Sequence, residues 1–289
     1  MNPPQFEYFA PTGVDEIISI LKKYGDDAKI LAGGQSLIPL LKSRVVNIPC
    51  LVSLSEVRGL SYINEGKEAL RIGSMTVDSD LEFSDSVRKH FPILIDCATQ
   101  VADPLVRNTG TIGGNISHAD PSNDFPAVML ALGAQFKIQG EKGTRTVPAD
   151  EFFVDTFTTT MEHNEVMTEI IIPYWGKGSK GAYGKFKRGT WNFSVAGVAV
   201  QLKMESGKVV KAGIGITSMG PKAIKCTEAE KFLLGKKLDI DTISHAADLI
   251  VGQSEPAEDP YGTVNYKKEI LRRLSVNTLK RVSGMDEVR

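Results

Sequence analysis

The sequence predicts a chain of mixed helices and strands that folds into more than one packed unit. With 289 residues, the chain exceeds the length at which a single core stops growing. Apolar residues make up 42% of it and charged residues 24%, which is the balance of an ordinary globular protein. Helical and strand periodicities both occur, and a glycine-rich stretch at residues 176–181 separates two different patterns.

The first part of the chain predicts a helix, a strand and a second helix around a glycine pair. Apolar residues at helical spacing predict a helix at residues 14–24, and Gly25 follows as a stop. The apolar run at residues 28–32 predicts a strand. Two glycines at residues 33–34 break this strand, and residues 36–41 predict a short helix.

The middle of the chain contains a second glycine-rich segment. Residues 106–124 hold an unusual number of turn-forming residues. Before this segment, a strand is expected at residues 69–73 and a helix at residues 92–102. After it, a helix is expected at residues 125–132, and strands are expected at residues 134–139 and 169–173.

Beyond the glycine-rich stretch at residues 176–181, which we interpret as a loop, the pattern predicts three neighbouring strands and then three helices. The strands are expected at residues 182–188, 194–204 and 209–217. The helices are expected at residues 223–234, 240–251 and 266–282. This change of pattern predicts a domain boundary near Gly176.

Charge and cysteine content argue against several classes of function. The formal net charge of −1 gives no overall basic field that would attract nucleic acid or anionic lipid. Cys50, Cys97 and Cys226 lie too far apart in sequence for an iron–sulfur or zinc site, and the histidines lack metal-ligand spacing, so we expect no metal site. No apolar run approaches the roughly 18 residues of a membrane span, and no signal peptide is evident, so we expect a cytoplasmic protein.

The glycine pairs at residues 33–34 and 113–114 suit the binding of a diphosphate. Glycines let successive backbone N–H groups approach phosphate oxygens without intervening Cβ atoms. Hydrogen bonds to charged groups contribute roughly 1.5–3 kcal/mol each, so a few from each segment supply much of the roughly 8 kcal/mol that micromolar binding requires. An isolated glycine pair is also typical of a tight turn with no ligand.

Gly176, Gly178 and Gly181 match the dinucleotide-binding pattern G-x-G-x-x-G, but their surroundings argue against such a site. Residues 182–187 do not open an amphipathic helix, and that helix is what would receive the pyrophosphate. We therefore do not expect a Rossmann-type site there.

Both glycine segments resemble those of one family. The first reads Ala32-Gly33-Gly34-Gln35-Ser36-Leu37, and the second reads Val106-Arg107-Asn108-Thr109-Gly110-Thr111-Ile112-Gly113-Gly114-Asn115, with Asp124 nine residues further on. In order and spacing they are similar to the FAD-binding medium subunit of molybdenum hydroxylases, complexes of the carbon monoxide dehydrogenase, aldehyde oxidoreductase and xanthine dehydrogenase type. The resemblance spans residues 6–281.

The resemblance implies an α+β fold in two parts. Residues 1–176 would form an FAD-binding domain of the vanillyl-alcohol-oxidase-like type, with subdomains at about residues 1–57 and 58–176. Residues 177–289 would form an α+β C-terminal flavoprotein domain with a three-stranded sheet and helices.

The resemblance also implies a set of FAD-binding residues, with no catalytic residue in this chain. Residues 31–37 would hold the diphosphate from one side, and residues 111–117 would hold it from the other through backbone amides and the Asn115 and Ser117 side chains. The expected FAD-binding residues are Leu31, Ala32, Gly33, Gly34, Gln35, Ser36, Leu37, Val101, Ala102, Thr111, Ile112, Gly113, Gly114, Asn115, Ser117, His118, Asp124, Ile170 and Lys185.

Two of these assignments have alternatives, and a third falls where this chain departs from the family. Asp124 would accept a hydrogen bond from the cofactor, although its position equally suits the N-cap of the following helix. Lys185, chosen over Lys187, would stabilise the reduced flavin by its charge, whereas most strand lysines point to water. At position 102, many relatives have glycine where this chain has Ala102.

The remaining candidates are one histidine and three aromatic residues. His118 is interpreted as loop structure near the FAD and not as a general base, because no nucleophile accompanies it. The aromatic side chains that could stack on a flavin ring, although such residues on strands are more often core, are Tyr183, Trp191 and Phe193.

The function that the resemblance implies is electron transfer. A large molybdopterin-binding subunit would oxidise the substrate, a small subunit with [2Fe-2S] clusters would relay electrons, and the FAD of this chain would pass them to an external acceptor. The complex would be a dimer of heterotrimers, and the isolated chain is not expected to oxidise the substrate. Two alternatives stay open: a self-sufficient flavoenzyme of related fold, and a structural or ligand-binding protein whose glycine loops are empty.

Overall fold

The N-terminal unit is built on a three-stranded parallel sheet with the strand order β1-β3-β2. The computed structural model describes residues 2–189 and 193–285 of the chain. The elements of this unit are β1 (Glu7–Phe9), α1 (Val14–Tyr24), β2 (Ala28–Leu31), α2 (Leu37–Lys42) and β3 (Cys50–Ser53). Helix α1 buries Ile17, Ile18 and Leu21 in a small core with the sheet residues Cys50 and Val52, as its helical apolar spacing predicts.

The second unit is built on a five-stranded antiparallel sheet with the order β4-β5-β10-β6-β7. Its strands are β4 (Ile63–Glu65), β5 (Ala69–Gly73), β6 (Gln135–Gly140), β7 (Gly143–Pro148), the short pair β8 (Phe153–Asp155) and β9 (Thr158–Thr159), and β10 (Val166–Pro173). Its helices are α3 (Asp78–Phe83), α4 (Asp85–His90), α5 (Pro92–Ala98), α6 (Pro104–Arg107), α7 (Ile112–His118), α8 (Phe125–Leu132) and α9 (Ala149–Phe152).

The C-terminal unit is a four-stranded antiparallel sheet followed by three helices. It contains the three long strands that the sequence predicts and a fourth strand of two residues. The elements are β11 (Ser179–Phe186), β12 (Ala196–Glu205), β13 (Lys208–Thr217), β14 (Ile224–Lys225), α10 (Thr227–Leu233), α11 (Ile240–Gly252) and α12 (Val264–Ser283). The fold is therefore of the expected mixed type.

Helix α8 joins the second and third units. All eight of its residues are buried, and it packs on strands β12 and β13 of the C-terminal sheet. Gly213 and Gly215 of β13 allow this contact, because a Cβ atom at either position would collide with the carbonyl oxygen of Ala131 or Ala127 in the helix. Asp124, at the start of α8, is thereby placed against the C-terminal sheet.

The structure corrects several predicted boundaries. Helix α5 ends at Ala98 instead of residue 102, because Ala102 adopts a positive φ of 32° and Asp103 caps the next helix. Residues 179–181, predicted as loop, already belong to strand β11. Helix α7 was not predicted at all, and it occupies the second glycine segment. No helix in the part of the chain that the structure describes is long and apolar enough to cross a membrane.

Candidate functional site

The first glycine segment, residues 33–37, leads from strand β2 into helix α2. Within the described part of the chain, none of its five consecutive backbone N–H groups has a hydrogen-bond partner. Gly34 adopts a positive φ of 73°, the left-handed conformation that glycine accepts without strain. A run of unpaired N–H groups in a turn that includes a left-handed residue is a typical anion-binding arrangement.

The second glycine segment is the first turn of helix α7, which Thr111 caps by accepting a hydrogen bond from the Gly114 N–H at 3.1 Å. The Ile112 N–H donates to the Thr76 carbonyl oxygen, and the Gly113 N–H donates to the Ser74 carbonyl oxygen. The N–H groups of residues 112–115 are thus bonded within the chain, and the expectation that backbone amides of this segment hold a diphosphate stays a prediction.

The two glycine segments meet. The Gln35 side chain donates a hydrogen bond to the Thr109 hydroxyl. At Gly33 an added Cβ atom would collide with the Thr109 carbonyl group, and at Gly114 it would lie 3.6 Å from the Ala32 Cβ. Gly33 is therefore required by this close approach, whereas a side chain at Gly114 would extend towards the first segment.

Helix α7 offers polar side chains to a ligand, and not free backbone amides. The Asn115 Oδ1 atom is buried and has no hydrogen-bond partner among the described residues. The Ser117 hydroxyl makes only weak contacts, at 3.9 Å, to the sulfur atoms of Met161 and Met167. His118 is half-buried against Phe157, and burial lowers the pKa of its imidazole. Asn115 and Ser117 thus keep the hydrogen-bonding capacity that the sequence assigned to them.

Asp124 forms a buried ion pair with Lys185 of strand β11. Its Oδ2 atom lies 2.7 Å from the Lys185 Nζ, and its Oδ1 atom accepts a hydrogen bond from the Tyr183 hydroxyl at 2.6 Å. Asp124 does occupy the N-cap position of helix α8, as the alternative proposed, but its side chain makes no capping bond there. Burial raises the pKa of the Asp124 carboxyl, and the charge of Lys185 opposes that rise.

Of the two candidate lysines, Lys185 has the more enclosed side chain, with 2% of its surface exposed. Its ammonium also donates to the Gln100 carbonyl oxygen at 3.0 Å, which leaves one N–H donor beyond these two bonds. Lys187 lies near the same pair. Its pKa is lowered by desolvation and by the charge of Lys185.

The remaining expected residues differ in how accessible they are. Val101 is buried, and Ala102 takes a positive φ of 32°, a conformation that glycine would accept freely. Ile170 of β10 is fully buried in the core, so its side chain offers no surface to a ligand. Tyr183 is also fully buried and is bonded to Asp124, which agrees with the alternative that it is a core residue. Phe193 is 56% exposed, and Trp191 lies outside the described residues.

Sequence reasoning missed one residue beside the glycine segments. Asp78, at the start of helix α3, is only 2% exposed, and its backbone N–H donates to the Gly110 carbonyl oxygen at 3.0 Å. No motif marks it, because a single aspartate before a helix is usually a surface residue. Only its burial in the folded chain distinguishes it.

The residues present fit an extended anionic cofactor. Five unpaired N–H groups at residues 33–37 lie beside a second segment that carries an orphaned, buried amide oxygen. The comparisons with known proteins agree. Residues 4–175 match the family described as the FAD binding domain in molybdopterin dehydrogenase, and residues 181–282 match the CO dehydrogenase flavoprotein C-terminal domain. The chain belongs to the FAD-binding medium subunits of the molybdenum hydroxylase family.

Individual members of this family match over almost the whole chain. The carbon monoxide dehydrogenase medium chain of Hydrogenophaga pseudoflava is 42% identical over 92% of this chain and 93% of its own. Subunit alpha of the 6-hydroxypseudooxynicotine dehydrogenase complex of Paenarthrobacter nicotinovorans is 35% identical over 96% and 95%. A solved structure of the Hydrogenophaga carbon monoxide dehydrogenase, in a form that lacks the Mo-pyranopterin moiety, matches with a TM-score of 0.96 and 41% identity, covering 98% and 99%.

The family to which the chain belongs identifies its cofactor and its class of chemistry. The cofactor is FAD, and the relatives are subunits of oxidoreductases. FAD supplies two-electron and one-electron redox chemistry when it is bound. The residues of this chain bind it, orient it and set the charge around it.

Proposed function

We propose that this protein is the electron-transfer subunit of a molybdenum-containing hydroxylase, taking electrons from an iron–sulfur partner and passing them to an external acceptor. The observation that carries the proposal is the match, over nine-tenths of the chain or more, to proteins named as parts of larger dehydrogenases. An FAD-binding subunit of such a complex needs a cofactor cradle and a position near its partner. It needs no substrate pocket of its own.

Within the site, we propose that the diphosphate of FAD binds to the free N–H groups of residues 33–37. These groups are unpaired in the fold, so a bound anion gains their hydrogen bonds without breaking others. From the other side, the Ser117 hydroxyl would donate to the cofactor, and the unpartnered Asn115 Oδ1 atom would accept a hydrogen bond from it. Gly33 and Gly113 then serve close backbone packing, against Thr109 and Ser74 respectively, while the left-handed Gly34 serves the ligand.

The Asp124–Lys185 ion pair would act on the cofactor because its charged groups are held in fixed positions. Its two side chains come from different units and are held by Tyr183 and the Gln100 carbonyl. A pair fixed in this way presents oriented dipoles, and it leaves one Lys185 N–H donor for a ligand atom. We retain both as FAD-binding residues. From strand β10, Ile170 remains a candidate, and Met167, which contacts Ser117, is a second one.

The partners in this proposal are a large molybdopterin-binding subunit and a small subunit with [2Fe-2S] clusters, assembled as a dimer of heterotrimers in the cytoplasm. The division of the chain at residue 176 is part of the same proposal. It is supported by the separate sheets at residues 7–53, 63–173 and 179–225. The N-terminal pair of sheets would hold the FAD, and the C-terminal sheet would close over it.

The proposal is tested by purifying the native complex through an affinity tag on this chain. We expect molybdenum, iron and FAD to co-purify in fixed ratio. The isolated chain is then mixed anaerobically with carbon monoxide, an aldehyde and a purine, and the flavin absorbance is followed. No bleaching is expected without the partners. Bleaching by the isolated chain would overturn the proposal in favour of a self-sufficient flavoenzyme, and a complex without molybdenum would contradict the proposed partners.

A further inference from the structure

A buried carboxyl lies where the two glycine segments meet. The Asp78 Oδ2 atom is 3.1 Å from the position that a Cβ atom on Gly110 would take, and the Gln35 Cγ is 3.8 Å from that same position. Gln35 and Gly110 belong to the first and second segments respectively. Asp78 therefore lies against Gly110 where the two glycine segments meet, although it belongs to neither segment.

This carboxyl lacks the hydrogen bonds that a buried polar group normally has. Asp78 is 2% exposed, and its Oδ1 atom has no partner among the described residues. An ionised carboxylate without partners is costly to bury, so such a group either binds a proton or finds a ligand. No group in residues 2–189 or 193–285 donates a hydrogen bond to the Asp78 Oδ1 atom.

The charges that face Asp78 do not favour its ionised form. Burial is the largest effect and raises the pKa of the Asp78 carboxyl to about 7. The nearby carboxylate of Asp124 raises it further, while Arg107 of helix α6 lowers it only in part. Arg107 is itself bound to Glu82 at 3.0 Å.

The other titratable groups on the helices packed against α3 are occupied elsewhere, neutral or, like Asp85 and Arg88 of α4, exposed. On helix α5, Cys97 is a buried thiol whose pKa is raised by burial, and Asp96 pairs with Arg281 at 2.7 Å. On helix α4, Lys89 and His90 bind Glu65. None of these groups neutralises a negative charge at Asp78.

We propose that Asp78 is a further cofactor-binding residue, which acts as a neutral carboxylic acid and donates a hydrogen bond to the anionic part of the cofactor at the junction of the glycine segments. This inference rests on the proposed diphosphate site. An ionised carboxylate there would repel a diphosphate, whereas the protonated acid offers it a donor. Binding is then accompanied by uptake of a proton from solvent onto the Asp78 carboxyl, and this uptake approaches one proton per FAD as the pH rises above 7.

The test measures the FAD dissociation constant of flavin-free protein between pH 6.0 and 8.5, by quenching of flavin fluorescence. With a carboxyl that titrates near pH 7, we expect wild-type affinity to weaken roughly thirtyfold over this range. Asp78→Asn keeps a neutral donor, so its affinity should be nearly independent of pH and tighter than wild type at pH 8.5. Asp78→Ala removes the donor, so its affinity should be equally flat but about tenfold weaker than that of Asp78→Asn.

Calorimetric titration in two buffers of different ionisation enthalpy gives a second readout. At pH 8.0 we expect uptake of close to one proton per FAD by the wild type and of none by Asp78→Asn. The inference is overturned if both proteins show the same pH slope, or if Asp78→Ala binds as tightly as Asp78→Asn. Failure of the wild type to bind FAD at any pH would instead overturn the proposed site itself, so the two failures are distinguishable.

Discussion

The Lys185 ammonium lies 2.7 Å from the Asp124 carboxylate, and both side chains are almost completely buried. Lys185 comes from the first strand of the C-terminal sheet, and Asp124 comes from the start of helix α8 in the second unit. This ion pair therefore crosses the boundary between the two units, beside the residues that we assign to the cofactor.

Breaking this pair should destabilise the protein strongly. Lys185→Met leaves the Asp124 carboxylate buried without its counter-ion, which typically costs about 3–5 kcal/mol. The double variant with Asp124→Asn should lose much less than the sum of the two single variants, because it leaves no unpaired charge. Urea unfolding of flavin-free protein measures both effects.

A surface pair provides the matched control for this experiment. Arg273 and Glu269 form an exposed ion pair at 2.8 Å on helix α12. Arg273→Ala should change the free energy of unfolding by less than about 0.5 kcal/mol. Equal losses in Arg273→Ala and Lys185→Met would contradict the assignment of a buried, coupled pair.

Gly114→Val should abolish FAD binding in a folded protein. The valine side chain would extend towards Ala32 of the first segment. Within the turn, its Cβ atom would lie close to the Thr111 hydroxyl. Losing two charge-assisted hydrogen bonds would cost roughly 3–6 kcal/mol, or about two to four decades of affinity. Flavin content and the FAD dissociation constant measure the loss, with circular dichroism to confirm folding.

The control for Gly114 is Gly252, at the end of helix α11, where an added Cβ atom meets nothing within 4 Å. Gly252→Val should keep its flavin. Gly178 would be a poor control. It adopts a φ of 84°, and a Cβ there would lie 2.7 Å from the Met204 carbonyl oxygen. A folded Gly114→Val protein with normal FAD affinity would refute the proposed path of the diphosphate.

Gly113→Ala should lower the stability of the folded protein, whereas Gly114→Val should lower its affinity for FAD. A Cβ atom at Gly113 would lie 2.5 Å from the Ser74 carbonyl oxygen, and neither backbone can easily move, because the Gly113 N–H donates to that oxygen. We expect a lower melting temperature for Gly113→Ala than for Gly114→Ala, measured without flavin. A Gly113→Ala protein as stable as wild type would show that helix α7 does not dock on Ser74 as described.

The second glycine segment shows where prediction from sequence stops. Helices α1 and α8 were predicted at the residues where they occur, because their apolar residues have helical spacing or form one continuous run. Helix α7 contains two adjacent glycines, which disfavour a helix locally. Tertiary packing overrides that preference, since Ile112 and Ile116 are fully buried and Thr111 caps the first turn.

The parts of the candidate site that contain glycine pairs could be predicted from the sequence. The parts that depend on burial of side chains in the folded chain could not. The glycine pairs indicate backbone approach directly, so the two segments could be located from the sequence. The bonds of Asp124 to Tyr183 and Lys185 join residues about 60 positions apart, so only the packing of α8 on the C-terminal sheet reveals them. Asp78 has no sequence signal, because its role depends on the groups that surround it in space.

The stability of the flavin-free protein should depend on pH through Asp78. The pKa of this carboxyl is raised from 3.8 to about 7 on folding, so the folded state holds its proton over a range where the unfolded state has lost it. Its stabilising contribution is complete below pH 4 and is lost as the pH rises to about 7. At pH 8, Asp78→Asn should be more stable than wild type by on the order of 4 kcal/mol.

The pH dependence of that difference is the informative quantity. The free energy of unfolding of Asp78→Asn minus that of wild type, from urea titrations at several pH values, should rise between about pH 4 and 7 and then level off. A difference that stays constant across this range would mean that Asp78 does not titrate in the folded protein as its burial implies.

Whether the two glycine segments hold a dinucleotide flavin can be read from the cofactor that the protein carries. The purified protein is acid-precipitated, and the released cofactor is identified by chromatography and counted per chain. We predict FAD at close to one per chain, because two diphosphate-facing segments serve no purpose for a mononucleotide. Release of FMN, or failure of the folded protein to take up FAD on reconstitution, would contradict the account.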